Sequence, residues 1–474
     1  LSSSLFASEW TYDKRLGEIQ SLILELRLDE AERRLTILKK EQSDNLYIDL
    51  LEARIVFFRA FIPDDGDIYD RMEDRFDGYL KAVKGGSKRD VHTYIASSEL
   101  YLIKAFLEMR YGNNLGTAWN GYMAWDQLEE AIRLFPDHPL VRYGNGLLQA
   151  TVGSLPENYQ FFTRLIGMKG SVAKGLEWME TSLEDPDIKA NGVYFDEFAY
   201  MLCQVRYQLQ DDSDKLLSEY GVQVKGSSFL LYMECLQLLQ RGENDKAATL
   251  LITRPIDQGR INHPFMELFT GKVLLNRQDP MASKWLKRYL EVYRGKNHRK
   301  AVYRYLFWHY GLIGAYDQAE KYKSLAKSEE LRSPKDRQAE EDLKENLPWP
   351  LIRARLLFDG GYDDDALSIL NDPTTITKST RSIDKLELNY RLGRILFRQE
   401  KWKEAEIAFQ VAVSFCDGEQ FNCSNSWLHL GFIAEKKGDL AKAKRCYEAV
   451  LDQEDFAYFE GLQQKARASL ERIK

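Results

Sequence analysis

The 474-residue sequence predicts an all-α protein, built as a right-handed α-solenoid of antiparallel helix pairs. Three observations predict it. Apolar residues recur with the helical period almost throughout, as in Leu22, Leu26 and Leu35 or in Leu388, Leu392, Ile395 and Leu396. Strict alternation of apolar and polar residues is hard to find, and Pro and Gly fall between periodic segments rather than inside them. Short polar turns followed by Ala recur along the chain, as expected of helices that fold back on their neighbours.

The repeat is clearest near the C-terminus. Leu392-Gly393 is followed by Ala405, Phe409 and Ala412 at spacings of 12, 4 and 3 counted from the glycine. Leu430-Gly431 is followed by Ala443, Tyr447 and Val450 at the same spacings, 38 residues later, with Trp427 four residues before the glycine. The spacing has a physical cause. Two helices of a hairpin approach to about 8–10 Å only where small side chains meet, so Gly and Ala are wanted at the crossing and an aromatic fills the remaining gap. Gly438-Asp439 supplies a turn. This pattern resembles the tetratricopeptide repeat. Weaker copies keep the turn and the Ala: Arg27 to Ala31, Arg241 to Ala247, Gly314 to Ala319 and Gly361 to Ala366.

On this pattern the chain divides into a tail or signal-peptide remnant at 1–9, irregular helical repeats at 10–190 and tetratricopeptide-like pairs at 191–330. A charged, Pro-containing linker follows at 331–350, then C-terminal repeats at 351–474. The linker is placed on its charge and on Pro334, Pro348 and Pro350.

Composition excludes several classes. Hydrophobic residues make up 44% and aromatics 12%, too much apolar surface for a disordered chain. Lys+Arg total 66 against 73 Asp+Glu, a net charge of −7, which gives no whole-molecule attraction to phosphate backbones. Nucleic acid is therefore not expected as a partner. No run approaches the roughly 18–20 apolar residues of a membrane span, so no transmembrane helix is expected. Peripheral membrane association stays open, as does the oligomeric state.

Leu1 to Ala7, small residues ending in Ala before Ser8-Glu9, resembles the tail of a secretory signal peptide, and reads equally as a frayed tail. A periplasmic or secreted location is favoured over the cytoplasm on this ground. Of five cysteines, Cys203, Cys235 and Cys446 lie in apolar helical patterns. Cys416 and Cys423 bracket a polar loop, at a spacing compatible with a disulfide and equally with two loop thiols.

The order of features from Ala96 to Leu183 resembles a particular family. The features are Ala96 to Ala105, a helix through Trp125, Leu128 and Ala131, Gly146-Leu147-Leu148, Ser154-Leu155-Pro156, Leu165-Ile166-Gly167 and Gly175-Leu176. They are similar to the inclusion-body clearance family of tetratricopeptide proteins, and similar bacterial repeat proteins share the layout. The chain departs from it in having a single Pro156 for a Pro pair, and Met168 and Ser171-Val172 where the family has Phe and Asp-Arg. The resemblance spans about residues 90–330 and implies non-catalytic scaffolding, with no catalytic residues to carry over.

The search for chemistry yields little. His92, His138, His263, His298, His309 and His429 show no i, i+4 pairing and no His-Glu-x-x-His, so no metal site is expected. Gly144-x-Gly146 is half a dinucleotide fingerprint without a preceding strand, and reads as close helix packing. No phosphate-binding loop or nucleophile elbow is present, and no cofactor or catalytic residue is predicted. The acidic runs Asp363-Asp364-Asp365 and Glu340-Glu341-Asp342 read as solvated turn charges. If the C-terminal doublet uses an inner-helix groove, the partner-binding residues are Tyr390, Arg394, Phe397, Arg398, Phe432 and Lys436, with Glu387, Leu428 and Glu435 beside them.

The expected function is a non-enzymatic scaffold or adaptor that binds a protein or peptide partner in a concave groove. The alternatives are an enzyme on a helical toroid acting on a polysaccharide, and a membrane-peripheral envelope assembly factor. If the spacing argument holds, Gly393→Leu overpacks the hairpin and lowers stability by about 1–3 kcal/mol, measured by denaturant titration.

Overall fold

The alanine after each short turn sets the architecture. Ala31, Ala247, Ala319, Ala366, Ala405 and Ala443 are all at most 1% exposed. Each lets the second helix of its pair lie close on the first. In the computed structural model, which describes residues 9–64, 66–154, 170–209, 215–256, 259–418 and 420–473, this arrangement repeats from end to end. Among the described residues there is no strand beyond an isolated bridge between Glu9 and Asn45.

The first helices are α1 (Lys14–Leu24), α2 (Leu28–Glu41), α3 (Leu46–Phe61), α4 (Gly66–Lys84), α5 (Val91–Arg110) and α6 (Asn114–Leu134). Then come α7 (Pro139–Ser154), α8 (Val172–Leu183), the short α9 (Pro186–Ala190) and α10 (Phe195–Leu209). The middle holds α11 (Ser228–Gln240), α12 (Asn244–Ile252), α13 (Pro264–Asn276), α14 (Ala282–Val292), α15 (Arg299–Leu312) and α16 (Tyr316–Ser328). Next are α17 (Pro334–Glu345), α18 (Trp349–Asp359), α19 (Asp363–Leu370) and α20 (Pro373–Lys378). The chain ends with α21 (Ser382–Arg398), α22 (Trp402–Val413), α23 (Phe421–Lys436), α24 (Leu440–Leu451) and α25 (Phe459–Arg472). Consecutive helices pair: α5 with α6, α7 with α8, α13 with α14, α15 with α16, α21 with α22 and α23 with α24. The protein is a tetratricopeptide-like α-solenoid.

The predicted close crossings are present. A Cβ on Gly393 would lie 2.8 Å from the Phe409 ring, and one on Gly431 would collide with the Tyr447 ring. The aromatic four residues after the conserved-spacing alanine thus covers the glycine of its own pair. Phe409 also reaches forward to His429 of the next pair, with ring centroids 5.2 Å apart. Gly146, half of the apparent dinucleotide fingerprint, faces Gly175: a Cβ there would lie 2.7 Å from the Gly175 carbonyl oxygen, so the pair brings α7 and α8 together.

The segment 331–350, expected as a linker, carries α17. Ser333 caps it, its hydroxyl accepting the Asp336 amide at 3.2 Å, and Pro334 occupies the first turn, where no amide is needed. The buried Asp336 in turn accepts the amides of His298 (2.9 Å) and Ala301 (3.2 Å) at the start of α15. A proline that opens a helix had been read as one that breaks it. The presumed signal remnant Leu1–Ala7 and the segment 155–169, which carries Pro156, Leu165 and Met168, lie outside the described residues.

The superhelix returns on itself. Helix α25 packs against α7, α8 and α10, and Ala468 joins the same apolar core that begins at Leu16. The Glu471 carboxylate accepts the Val172 amide at 3.1 Å, at the start of α8. The N-terminal end is tied in by the Ser227 hydroxyl, which donates to the Leu24 carbonyl at 2.6 Å. The C-terminal helix thus closes onto the N-terminal half of the solenoid.

Hairpin turns reverse through one residue in the left-handed region. Gly242, Gly314, Gly361 and Gly438 take this place with φ of 71–78°, and Leu26, Gln278 and Glu400 take it with φ of 62°, 62° and 59°. The last two mark hairpin turns that no glycine signals in the sequence. A side chain at positive φ costs roughly 1 kcal/mol, so Glu400→Gly is expected to stabilise the protein by about 0.5–1 kcal/mol in denaturant titration.

Candidate functional site

The six residues expected to bind a partner fall into two groups. Tyr390 is buried, and its phenol oxygen accepts from Arg394 Nη1 (2.9 Å) and Asn425 Nδ2 (2.8 Å). The Arg394 and Arg398 guanidinium groups lie over the Phe358 ring at 5.4 and 4.3 Å, and Arg398 ion-pairs with Asp363 at 3.0 Å. Phe397 and Phe432 instead gather around His429, with centroids 4.9 and 5.6 Å from its ring. Phe397 also meets Trp402, over which the exposed Lys436 lies at 4.7 Å. Glu387 and Leu428 are buried, Glu387 accepting from Arg391 at 2.8 Å. Most of these side chains are thus engaged with their neighbours.

The structure brings a different set within electrostatic reach of one another. Lys272 from α13, Arg304 and Tyr305 from α15 and Lys335 from α17 act on one another electrostatically, and Tyr207 of α10 and Tyr458, just before α25, join them. Among the described residues neither Lys272 nor Lys335 makes an ion pair or a hydrogen bond. The phenols of Tyr207, Tyr305 and Tyr458 likewise have no hydrogen-bond partner among them. Lys335 rests its ammonium over the Phe269 ring at 5.3 Å.

Burial, then the charges of Lys272 and Arg304, push the Lys335 ammonium down to about 8. Burial alone would raise the Tyr305 phenol, yet Lys272, Arg304 and Lys335 hold it below its usual value. His298, desolvated and facing Lys335, is pushed down to about 3 and is neutral at pH 7.

Tyr458 also lines a cleft of about 1030 Å³, together with Phe421, the carboxylates of Glu340, Glu341, Glu345, Asp455 and Glu460, and the basic side chains of Arg332, Arg337, Lys344 and Arg355. Burial, then Asp342 and Glu387, push the Glu345 carboxyl up to about 8. Tyr458 borders both zones. Asp342, read from sequence as part of a solvated run, is buried instead. Arg304 and Arg355 share it, Arg355 at 2.6 Å. Asp363, from the other acidic run, is the partner of Arg398. The stacking of neighbouring helices decides which of these charges are matched. One cue was legible: Lys272 interrupts the apolar run from Phe265 to Leu275.

The Cys416 and Cys423 sulfurs are joined at 2.02 Å across the loop from α22 to α23. No group of three or more His, Cys, Asp or Glu among the described residues is arranged to hold a metal ion, and no described helix is long and apolar enough to cross a membrane.

No protein-family model and no curated protein matches the chain. Among solved structures, the chain is 14% identical to the human IFIT1 dimer with PPP-AAAA, covering 94% of this chain and 95% of that one, with a TM-score of 0.29. The human IFIT1 dimer with m7Gppp-AAAA gives the same values. A monomeric IFIT1 mutant with m7Gppp-AAAA is 13% identical over 92% and 94% of the two chains, with a TM-score of 0.30. At these TM-scores the superpositions assign no site and no ligand to this chain. They do correct the exclusion of nucleic acid, since each holds an oligonucleotide. The physical flaw in that exclusion is that a net charge of −7 sums the whole surface and is silent about cations gathered on one interior face.

The unmatched Lys335 should weaken the fold. Its proton is taken up less readily in the folded chain, so the penalty is full below about pH 8 and fades as pH rises towards 10.5. The facing groups are Lys272 on α13, His298, Arg304 and Tyr305 at α15, and Asp336 on its own helix. Lys335→Met keeps the stem against Phe269, and is expected to raise the denaturation midpoint at pH 7 with a gain that shrinks above pH 8.

Proposed function

We propose that the protein is a non-enzymatic binding solenoid that holds an extended segment of a protein partner along its inner face. The observation that supports this most directly is Lys335, which makes no ion pair among the described residues and lies on α17, the helix that lines the cleft of about 1030 Å³. Unmatched charge in a partly desolvated place weakens a fold and is retained where a ligand supplies the match. The cleft carries both signs, with Arg332, Arg337 and Lys344 among its carboxylates, and Tyr458 borders it. A peptide can carry acidic and basic side chains in succession and so answer a mixed lining. The phenols add donors and stacking surface. The resemblance of residues 90–330 to the inclusion-body clearance family points to the same non-catalytic role, and no arrangement described above favours a polysaccharide enzyme or an envelope assembly factor. The Cys416–Cys423 bond supports an oxidising compartment.

A defined peptide with an acidic half and a basic half, titrated into the full chain by calorimetry, tests this. We expect binding that weakens with added salt, is lost in the Lys272→Glu/Lys335→Glu variant, and leaves the peptide chemically unchanged. A peptide of the same length without charges that binds equally well would overturn the reading.

A further inference from the structure

We propose that the groove between α4 and α6 docks an amphipathic helix of a partner protein, with its apolar side on Leu115 and Trp119 and its acidic edge on Lys81 and Lys84. This surface is separate from the inner-face binding proposed above.

The first observation is a run without charge. Residues 111–125 contain no charged side chain, although charged residues make up 29% of the chain. Most of the run lies on α6, which buries Asn120, Ala124, Leu128 and Ala131 on one side. Leu115, Trp119 and Tyr122, spaced by four and three residues, form a second stripe that stays exposed, Leu115 at 86% and Trp119 at 63%. The Trp119 and Tyr122 rings lie with centroids 6.3 Å apart, and Tyr122 and Trp125 with centroids 5.6 Å apart. An exposed surface poor in charge and rich in aromatic rings has the composition of the core of a protein interface.

The second observation is the groove beside this stripe. Helices α4 and α6 both pack on α5. Among them lies a groove of about 560 Å³, lined by Trp119 of α6, Lys81 and Lys84 of α4, and Tyr101 and Lys104 of α5. Its two carboxylates are engaged. Asp77 pairs with Lys104 at 2.6 Å, and the buried Glu108 accepts the Tyr69 phenol at 3.0 Å. Lys84 donates to the Tyr101 phenol at 2.9 Å, and neither it nor the exposed Lys81 makes an ion pair among the described residues.

Charge complementarity then selects the occupant. The α6 wall is uncharged and the α4 wall keeps two unpaired ammonium groups, so the occupant is apolar on one side and acidic on the other. A helix provides this with residues three and four apart on each side. From Tyr101 to Glu108 the groove follows two turns of α5, roughly 10 Å, which two turns of a partner helix match. A chain charged along its whole length, such as a nucleic acid, would also meet Asp70, Asp74 and Asp77, which are exposed on α4.

The test uses the full chain and two amphipathic helical peptides that share one apolar face, one with a Glu edge and one with a Lys edge, titrated by calorimetry. The Glu-edged peptide is expected to bind at least about tenfold more tightly. Lys81→Glu/Lys84→Glu should reverse that preference, and Trp119→Ala should weaken the Glu-edged peptide at least about tenfold, with the denaturation midpoint unchanged in both variants. Lys272→Glu/Lys335→Glu should bind it as the unaltered chain does, which separates this surface from the inner face. Equal affinity for the two peptides, no binding of either, or no effect of Trp119→Ala overturns the proposal. So does tighter binding of phosphatidylcholine vesicles or of oligo-adenylate, lost in Trp119→Ala, which would assign the surface to a bilayer or a nucleic acid. Self-association of the chain in sedimentation, lost in Trp119→Ala, would assign it to a second copy and overturn the proposal as well.

Discussion

Close approach of helices through very small side chains is the constraint on which the rest of this structure depends. Gly393 lies under Phe409, Gly431 under Tyr447 and Gly146 against Gly175, and each contact sets the separation of a hairpin. The near-zero exposure of the alanine after each turn makes the same point six times. Separation fixes how far each pair rotates on the one before. That small rotation, accumulated along the chain, brings α25 back to α7, α8 and α10.

Burial changes the chemistry of the inner face. In open solvent, Lys272, Arg304 and Lys335 would be hydrated and nearly independent, screened beyond a Debye length. Here they share a partly desolvated space. Lys335 is disfavoured as a cation and Tyr305 is drawn the other way. The fold invests in matching some of its inner charges, with Asp342 between two arginines and Glu387 on Arg391, and leaves two lysines unmatched. The contrast between matched and unmatched groups, rather than the number of charges, is what the proposed binding role rests on.

The stretch around α17 shows how one segment serves both stability and the site. Ser333 and Pro334 start the helix, Asp336 caps its neighbour, and Asp342 holds two arginines. On the same helix Lys335 makes no ion pair among the described residues, while Glu340 pairs with Lys300 at 2.7 Å. Read as sequence, the same residues form a charged run broken by prolines, and nothing local separates a solvated linker from a helix whose charges are mostly paired.

Much of the fold was legible because helix periodicity, turn residues and small-residue spacing are local properties, set within about forty residues of one another, roughly the length of one repeat. The six hairpins with an alanine after the turn, and the glycine crossings of the C-terminal doublet, could be read directly. Hairpin turns at Gln278 and Glu400 could not, because their left-handed residue is not glycine. The site was not legible either. The residues nominated on α21 and α23 proved to be engaged with Phe358, Asp363 and His429. The groups that act on one another electrostatically come from positions as far apart as Tyr207 and Tyr458. Sequence by itself determined which helices form and how each pair packs, since those contacts join near neighbours. Only the tertiary structure decided which charges are paired and which are not, because that depends on how successive helix pairs stack on one another.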